Sequence, residues 1–163
     1  MRKQKGFSLI ELLIVVAIIL IIAAIAIPNL LRARMAANES SAVASVRTVN
    51  TAMVTYNSTY PTVGFATNLT ALGPNASPCV PAQANACLID SVLAGGIKSG
   101  YSFVAANAGA APAVQYYVAG TPVAPNQSGV RSFCSYEDAV VRVQTAGGAI
   151  AGEAACQALL PLQ

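Results

Sequence analysis

The chain has 163 residues, of which 55% are hydrophobic and 9% charged, with nine basic residues, six acidic residues and no histidine. This composition excludes intrinsic disorder as the main state, and the length suits one domain of modest core size with an appended element. Three of the nine basic residues, Arg2, Lys3 and Lys5, lie in the first five positions, so the remainder is formally neutral and bulk charge does not predict nucleic acid as a partner.

Residues 7–27 form an apolar stretch whose only polar members are Ser8 and Glu11. As a helix, this stretch would rise roughly 31 Å, the thickness of the hydrocarbon layer of a bilayer. The basic leader before it would hold the amino-terminal end in the cytoplasm and place the rest of the chain across the membrane. A secretory signal with the cleavage pattern Ala24-Ile25-Ala26 and an uncleaved single-span anchor are the two simpler interpretations.

The position of Glu11 argues against both simpler interpretations. A carboxylate inside an apolar membrane helix costs about 2.5–3.5 kcal/mol and usually marks a function. No basic side chain lies between Lys5 and Arg32 to neutralise it. A cut between Gly6 and Phe7 would create an α-amine one helical turn away, on the same chain or on a neighbouring one. Such a buried pair would set the register between helices.

The segment Lys5-Gly6-Phe7-Ser8-Leu9-Ile10-Glu11-Leu12 resembles the prepilin cleavage and methylation motif of type IV pilins and of the pseudopilins of type II secretion. The likeness continues through the apolar helix to Pro28. It implies that a prepilin peptidase in the membrane cuts after Gly6 and methylates the amine of Phe7. Mature subunits would then leave the membrane and polymerise through their apolar helices, with Glu11 facing the amine of an adjacent subunit.

Pro28 stands where many of these pilins have a helix-breaking proline, whereas residues 7–27 lack the mid-helix glycine that many of them carry. Proline removes one intrahelical hydrogen bond and crowds the carbonyl group of Ala24. The sequence therefore predicts a kink or a local unwinding at Pro28, and assembly is expected to involve this residue together with Glu11.

From Asn29 the helical signal continues as an amphipathic pattern. Apolar residues at steps of three and four predict one buried helix face, made of Ala42, Val46, Val49, Met53, Tyr56 and Tyr60. The charged residues fall on the other faces and are expected to be solvated: Arg32, Arg34, Glu39 and Arg47. Because Pro61 disfavours helical geometry in the residue before it, the helix should end between Asn57 and Tyr60.

The remaining chain favours short strands and loops. Three prolines predict a loop over Gly73–Ala86, and Asp90–Ile97 predicts a turn of helix that ends at the Gly95-Gly96 pair. Segments rich in aromatic and β-branched residues predict four strands: Tyr101–Ala105, Gln115–Ala119, Val130–Ser135 and Ala139–Gln144. The expected fold is α+β and pilin-like, with a long amino-terminal helix packed against an antiparallel sheet of about four strands.

An even count of cysteines in an exported domain predicts disulfides, and four cysteines allow three connectivities. Pairing of Cys79 with Cys87 would clamp the proline-rich loop, and pairing of Cys134 with Cys156 would tie the carboxy-terminal tail to the sheet. The second pair also resembles the carboxy-terminal disulfide loop of many type IV pilins. The spacings lack a C-x₂-C knuckle and histidine is absent, so neither a metal site nor a cofactor is expected.

No catalytic site is expected either. Histidine, the commonest general base, is missing, and Glu137 and Asp138 are neighbours in a predicted turn rather than a facing pair of carboxylates. No glycine-rich phosphate loop follows a strand. The sequence therefore predicts a structural protein and not an enzyme.

The resemblance implies a leader at 1–6, a transmembrane and filament-core helix at 7–28 and an exported head at 29–163. The head would comprise an amphipathic helix at 29–60, a loop-rich segment at 61–100, and the sheet with the carboxy-terminal loop at 101–163. The implied function is a type IV pilus subunit, which spans the inner membrane once before assembly and then joins a filament in the periplasm or at the cell surface.

Its implied partners are copies of itself, the prepilin peptidase, the inner-membrane assembly machinery and the membrane before assembly. A pseudopilin of a type II secretion system is the alternative, although the expected disulfide loop between Cys134 and Cys156 favours a pilin. A membrane-tethered binding module that never polymerises is a third interpretation.

Overall fold

The computed structural model describes residues 7–109 and 111–162. They form two compact units, of which the first ends at Arg34 and the second begins at Met35. The leader, including Gly6, lies outside the described residues.

One continuous helix, α1 (Leu9–Thr59), contributes to both units. Its end agrees with the prediction from Pro61, and the last turn closes with a hydrogen bond from the amide of Tyr60 to the carbonyl of Tyr56. Pro28 lies inside the helix, and the backbone stays helical on both sides of it. Of the two outcomes predicted at Pro28, local unwinding is therefore not seen.

The elements after α1 are, in chain order, α2 (Leu69–Leu72), α3 (Ser91–Ala94), β1 (Ile97–Lys98), β2 (Tyr101–Ala108), β3 (Gln115–Pro122), β4 (Ser132–Tyr136), β5 (Arg142–Gln144), α4 (Glu153–Gln157) and β6 (Leu160–Pro161). The strands form one antiparallel sheet in which each strand pairs with the next along the chain. The predicted antiparallel sheet is confirmed. The strand count is six rather than about four, because β1 and β6 extend the sheet by two residues each at its edges.

Two of the short helices begin with a side-chain cap. The Asn68 side chain accepts a hydrogen bond from the amide of Ala71 at α2, and Asp90 accepts one from the amide of Leu93 at α3. These caps satisfy amide groups that the first turn of a helix leaves without a partner. The helical turn predicted before the Gly95-Gly96 pair is confirmed as α3.

The main core lies in the second unit, where the predicted stripe of α1 joins the inner face of the sheet. Five of its six members are buried and Tyr60 is half-buried. The sheet contributes the aromatic and aliphatic side chains Tyr101, Phe103, Tyr116, Val118 and Phe133 to the same cluster. The α+β architecture predicted from the sequence is thus confirmed.

The prediction for Glu39 is wrong, because this residue is buried and not solvated. It is only 8% exposed. Its Oε1 accepts hydrogen bonds from the amides of Val130 and Arg131 at 2.9 and 3.1 Å, and its Oε2 accepts one from Nε of Arg131 at 2.8 Å. Position 39 lies three residues before Ala42 and therefore extends the buried stripe by one step. The spacing of Glu39 from Ala42 therefore indicated burial, whereas its charged side chain led to the prediction of a solvated residue.

The structure contains two disulfides, Cys79–Cys87 and Cys134–Cys156, the same pairs that the sequence analysis favoured. The second disulfide holds α4 against the opposite face of the sheet from α1. A small second core forms there, made of Ala119, Cys134, Ile150 and Cys156. The sheet of the second unit is therefore covered on one face by a helix of the main core and on the other by a cross-linked tail.

Candidate assembly segment

The amino-terminal end of α1 is built around Ser8 and Glu11. Ser8 directly precedes the first helical residue, and its backbone amide donates a hydrogen bond of 2.9 Å to Oε2 of Glu11. The carbonyl of Ser8 accepts the amide of Leu12 at 3.2 Å. This is the carboxylate half of a capping box, in which a residue of the third helical position satisfies an amide at the helix start. The sequence pattern Ser-x-x-Glu is the signal for this capping role of Glu11.

The geometry leaves part of the Glu11 carboxylate available. Within the described residues, Oε1 of Glu11 has no hydrogen-bond partner, and the side chain is exposed. Phe7 lies one helical turn before it and is 85% exposed. An amine at Phe7, on this chain or on another, would therefore meet a carboxylate that is already held in place by its own helix. A charge-assisted hydrogen bond of this kind is about twice as strong as a neutral one.

The apolar half of α1 is not covered by any other described residue. No residue from Leu9 to Arg34 is buried. The most exposed large side chains of this segment include Leu9, Ile10, Leu13, Leu20, Ile21, Ile25 and Leu30. It is the one described helix that is long and apolar enough to cross a membrane. A contiguous apolar surface of this size marks a membrane or protein contact.

The other predicted site residues lie apart from Ser8 and Glu11 along the chain. Pro28 follows Glu11 by 17 residues in the same helix, and all four cysteines belong to the second unit. In residues 7–109 and 111–162, no cluster of three or more His, Cys, Asp or Glu side chains could hold a metal ion. One surface groove of the second unit is lined by Glu39, Arg47 and Arg131, and thus partly by the ion pair of Glu39 with Arg131.

Comparison with known proteins identifies the segment. The family model described as the prokaryotic N-terminal methylation motif matches residues 1–27. The chain carries the amino-terminal signature of the type IV pilin and pseudopilin family. The match includes Phe7, Ser8 and Glu11, so the capping geometry described above lies within the family's signature.

Three relatives extend the likeness beyond the motif. The chain is 68% identical over 40 residues to the type IV wide pilus major component PilA4 of Thermus thermophilus, covering 24% of this chain and 30% of the relative. It is 42% identical over 65 residues to the type II secretion system core protein G of Vibrio cholerae, covering 38% and 44%. It is 45% identical over 54 residues to the type IV major pilin protein PilA of Myxococcus xanthus, covering 33% and 24%.

The matched part thus spans less than half the length of these relatives. No solved structure matches the chain significantly.

Proposed function

We propose that this chain is a structural, non-enzymatic subunit of a type IV pilus. It is made as a precursor in the inner membrane, cut between Gly6 and Phe7, N-methylated at Phe7, and polymerised through the apolar half of α1. The observation that carries this proposal is the apolar half of α1, which has no buried residue and begins with a capping, partly available carboxylate at Glu11.

The apolar half of α1 can be covered either by lipid or by neighbouring copies of the same helix. In a bilayer, lipid covers the apolar side chains and the carboxylate is the only charged group between Phe7 and Leu31. In a filament, neighbouring copies of the same helix cover the apolar side chains instead, and a cleaved copy supplies an amine for Glu11. Transfer from membrane to filament therefore keeps the apolar surface out of water and gives the carboxylate a partner.

The proposal divides the chain by role. Residues 1–6 are the leader, 7–28 span the membrane and later form the filament core with Pro28 at its end, and 29–163 form the exported head. The partners are copies of the chain, the prepilin peptidase and the inner-membrane assembly machinery. The filament lies in the periplasm or at the cell surface.

A pseudopilin of a type II secretion system is the second candidate. The observation in its favour is the set of relatives named type II secretion system core protein G, of which the chain matches up to 58% in length. The two candidates share the processing steps and differ in where the filament ends. A filament that extends beyond the outer surface supports a pilin, and a filament confined to the periplasm supports a pseudopilin.

The test is the intact mass and the amino-terminal sequence of protein sheared from cells. We expect a chain of 157 residues, the full 163 less the six of the leader, that begins with methylated Phe7. The variant Gly6→Ile places a bulky side chain directly before the cut bond and should yield only uncut chain, with no sheared filaments. A chain that begins at Ile27, or an intact Met1 start in sheared filaments, would overturn the proposal.

A further inference from the structure

Two arginines mark the outer end of the apolar half of α1. Arg32 and Arg34 are the first charged residues after Glu11, and both are exposed. Within the described residues, neither forms an ion pair or a side-chain hydrogen bond. The proposed function assigns no role to these two arginines. Basic residues beside an apolar membrane segment nevertheless influence how that segment is placed in the bilayer.

The spacing between Glu11 and Arg32 matches a bilayer. Arg32 follows Glu11 by 21 positions, which corresponds to a rise of roughly 31 Å along a continuous helix. The hydrocarbon core of a bilayer is about 30 Å thick. When Arg32 lies at the outer boundary of the hydrocarbon, Glu11 and Phe7 therefore lie at the cytoplasmic boundary, where a carboxylate keeps access to water.

The directions of the two arginines favour lipid over a protein partner. Residues two apart on a helix project about 200° apart, so Arg32 and Arg34 leave opposite sides of α1. A neighbouring protein covers one side of a helix. A layer of phospholipid headgroups surrounds the helix and meets both sides at once. Guanidinium groups donate paired hydrogen bonds to phosphate oxygens, and their long stems reach the interface from an apolar helix.

We propose that Arg32 and Arg34 bind the phosphate groups of outer-leaflet phospholipids and thereby set the depth of the precursor in the membrane. They are positioning residues that hold the Gly6–Phe7 bond at the cytoplasmic boundary. The inference rests on the proposed function for its biological meaning, but lipid binding by the two arginines can be measured without any filament.

The test uses the absence of tryptophan from the chain. The full precursor carrying Ile10→Trp is reconstituted in vesicles of phosphatidylglycerol and phosphatidylethanolamine, so that the introduced indole is the only one present. Quenching by lipids brominated at a shallow or a deep acyl position reports its depth. In the variant with intact arginines we expect shallow quenching, because position 10 directly precedes Glu11 and the indole should lie at the boundary.

Adding Arg32→Gln and Arg34→Gln removes the outer anchor, and Glu11 then draws the helix towards the cytoplasmic side. Quenching by the brominated lipids should fall by about twofold or more. The emission maximum of the indole should shift towards the value of an indole in water. The pair Arg32→Lys and Arg34→Lys should retain most of the quenching, since ammonium groups also bind phosphate. Arg47→Gln, an exposed change elsewhere on α1, is the matched control and should leave depth unchanged.

Unchanged depth in the double glutamine variant overturns the inference. If that variant keeps its depth but loses filaments in cells, the arginines act between copies of the chain, and the lipid assignment is again wrong. If depth shifts as expected while sheared protein lacks the methylated Phe7 start, the lipid contact stands and the proposed function fails. The two failures are therefore distinguishable.

Discussion

The two halves of α1 share one backbone geometry and have opposite surroundings. In the second half, Val46 and Val49 are fully buried, whereas in the first half Val15 and Val16 are about half exposed, at 49% and 47%. The difference arises from what each half packs against. Among the described residues, the sheet covers the second half and no element covers the first. One half of this helix therefore completes a folded core, whereas the other half presents an apolar surface that we propose is covered by lipid or by further copies of the chain.

The largest effect that separates the two halves is expected from Glu11→Ala. Removing the one carboxylate of the apolar half should abolish filaments, while urea unfolding of the second unit stays unchanged. Ser8→Ala is the matched control, because the backbone amide that donates to Glu11 is retained and assembly should persist. The measurement is the yield of sheared filaments by electron microscopy.

A non-polymerising tether would behave differently under the same change. Loss of the carboxylate would then only ease membrane insertion, because the cost of placing an ionised side chain in or beside the hydrocarbon disappears. Normal filaments from the Glu11→Ala variant would contradict the role proposed for this residue.

A large but purely thermodynamic effect is expected in the second half. Met53 is fully buried, so Met53→Ala should lower the free energy of unfolding by about 3 kcal/mol through lost transfer energy and an unfilled cavity. Leu20→Ala removes a side chain of similar size that is 63% exposed, and it should leave that free energy unchanged. Equal losses in the two variants, measured by urea denaturation, would show that the halves do not differ as described.

An intermediate effect is expected at the ion pair between buried Glu39 and exposed Arg131. Glu39→Gln retains one acceptor oxygen but removes the charge that receives two backbone amides and the Arg131 side chain. We expect a loss of about 2 kcal/mol in the free energy of unfolding. Lys98→Met breaks the more exposed pair with Asp90 and should cost less than about 1 kcal/mol. A reversed order of these two losses would refute the importance of the Glu39 contact.

The smallest effect concerns pH. Burial opposes ionisation of Glu39, but the hydrogen bonds from Val130 and Arg131 outweigh it and hold the pKa of this carboxyl below its usual value. A lowered pKa in the folded state contributes stability above the unfolded pKa, near 4.5, and this stability disappears as pH falls through the folded pKa. The melting temperature should therefore fall more steeply between pH 6 and about 3 in the parent than in the Glu39→Gln variant, as measured by thermal unfolding.

Much of the fold was accessible from sequence because its signals are local. The stripe from Ala42 to Tyr56 and the proline after Tyr60 fix the second half of α1 and its end. The four longer strands carry enough β-branched and aromatic residues to be recognised. Strands β1 and β6 were missed, since two residues have no periodicity and pair only because a neighbouring strand is already present.

The candidate site shows the same division between local and distant information. The apolar run and Glu11 are plain in the sequence, and so is the Ser-x-x-Glu pattern that we did not use. Glu39 could not be placed correctly from residue type alone. Its partners, the amides of Val130 and Arg131, lie more than 90 residues away and come together only when the sheet folds against α1.

The two disulfides have a mechanical consequence. The bonds Cys79–Cys87 and Cys134–Cys156 bridge sequence separations of 8 and 22 residues. A fully extended chain spans at most about 3.5 Å per residue, so roughly 100 Å of contour length is closed into loops that tension cannot draw out. Under load along a filament, the second unit would yield only through the segments outside these loops. The covalent bonds thus limit how far the second unit can lengthen even after its noncovalent contacts have broken.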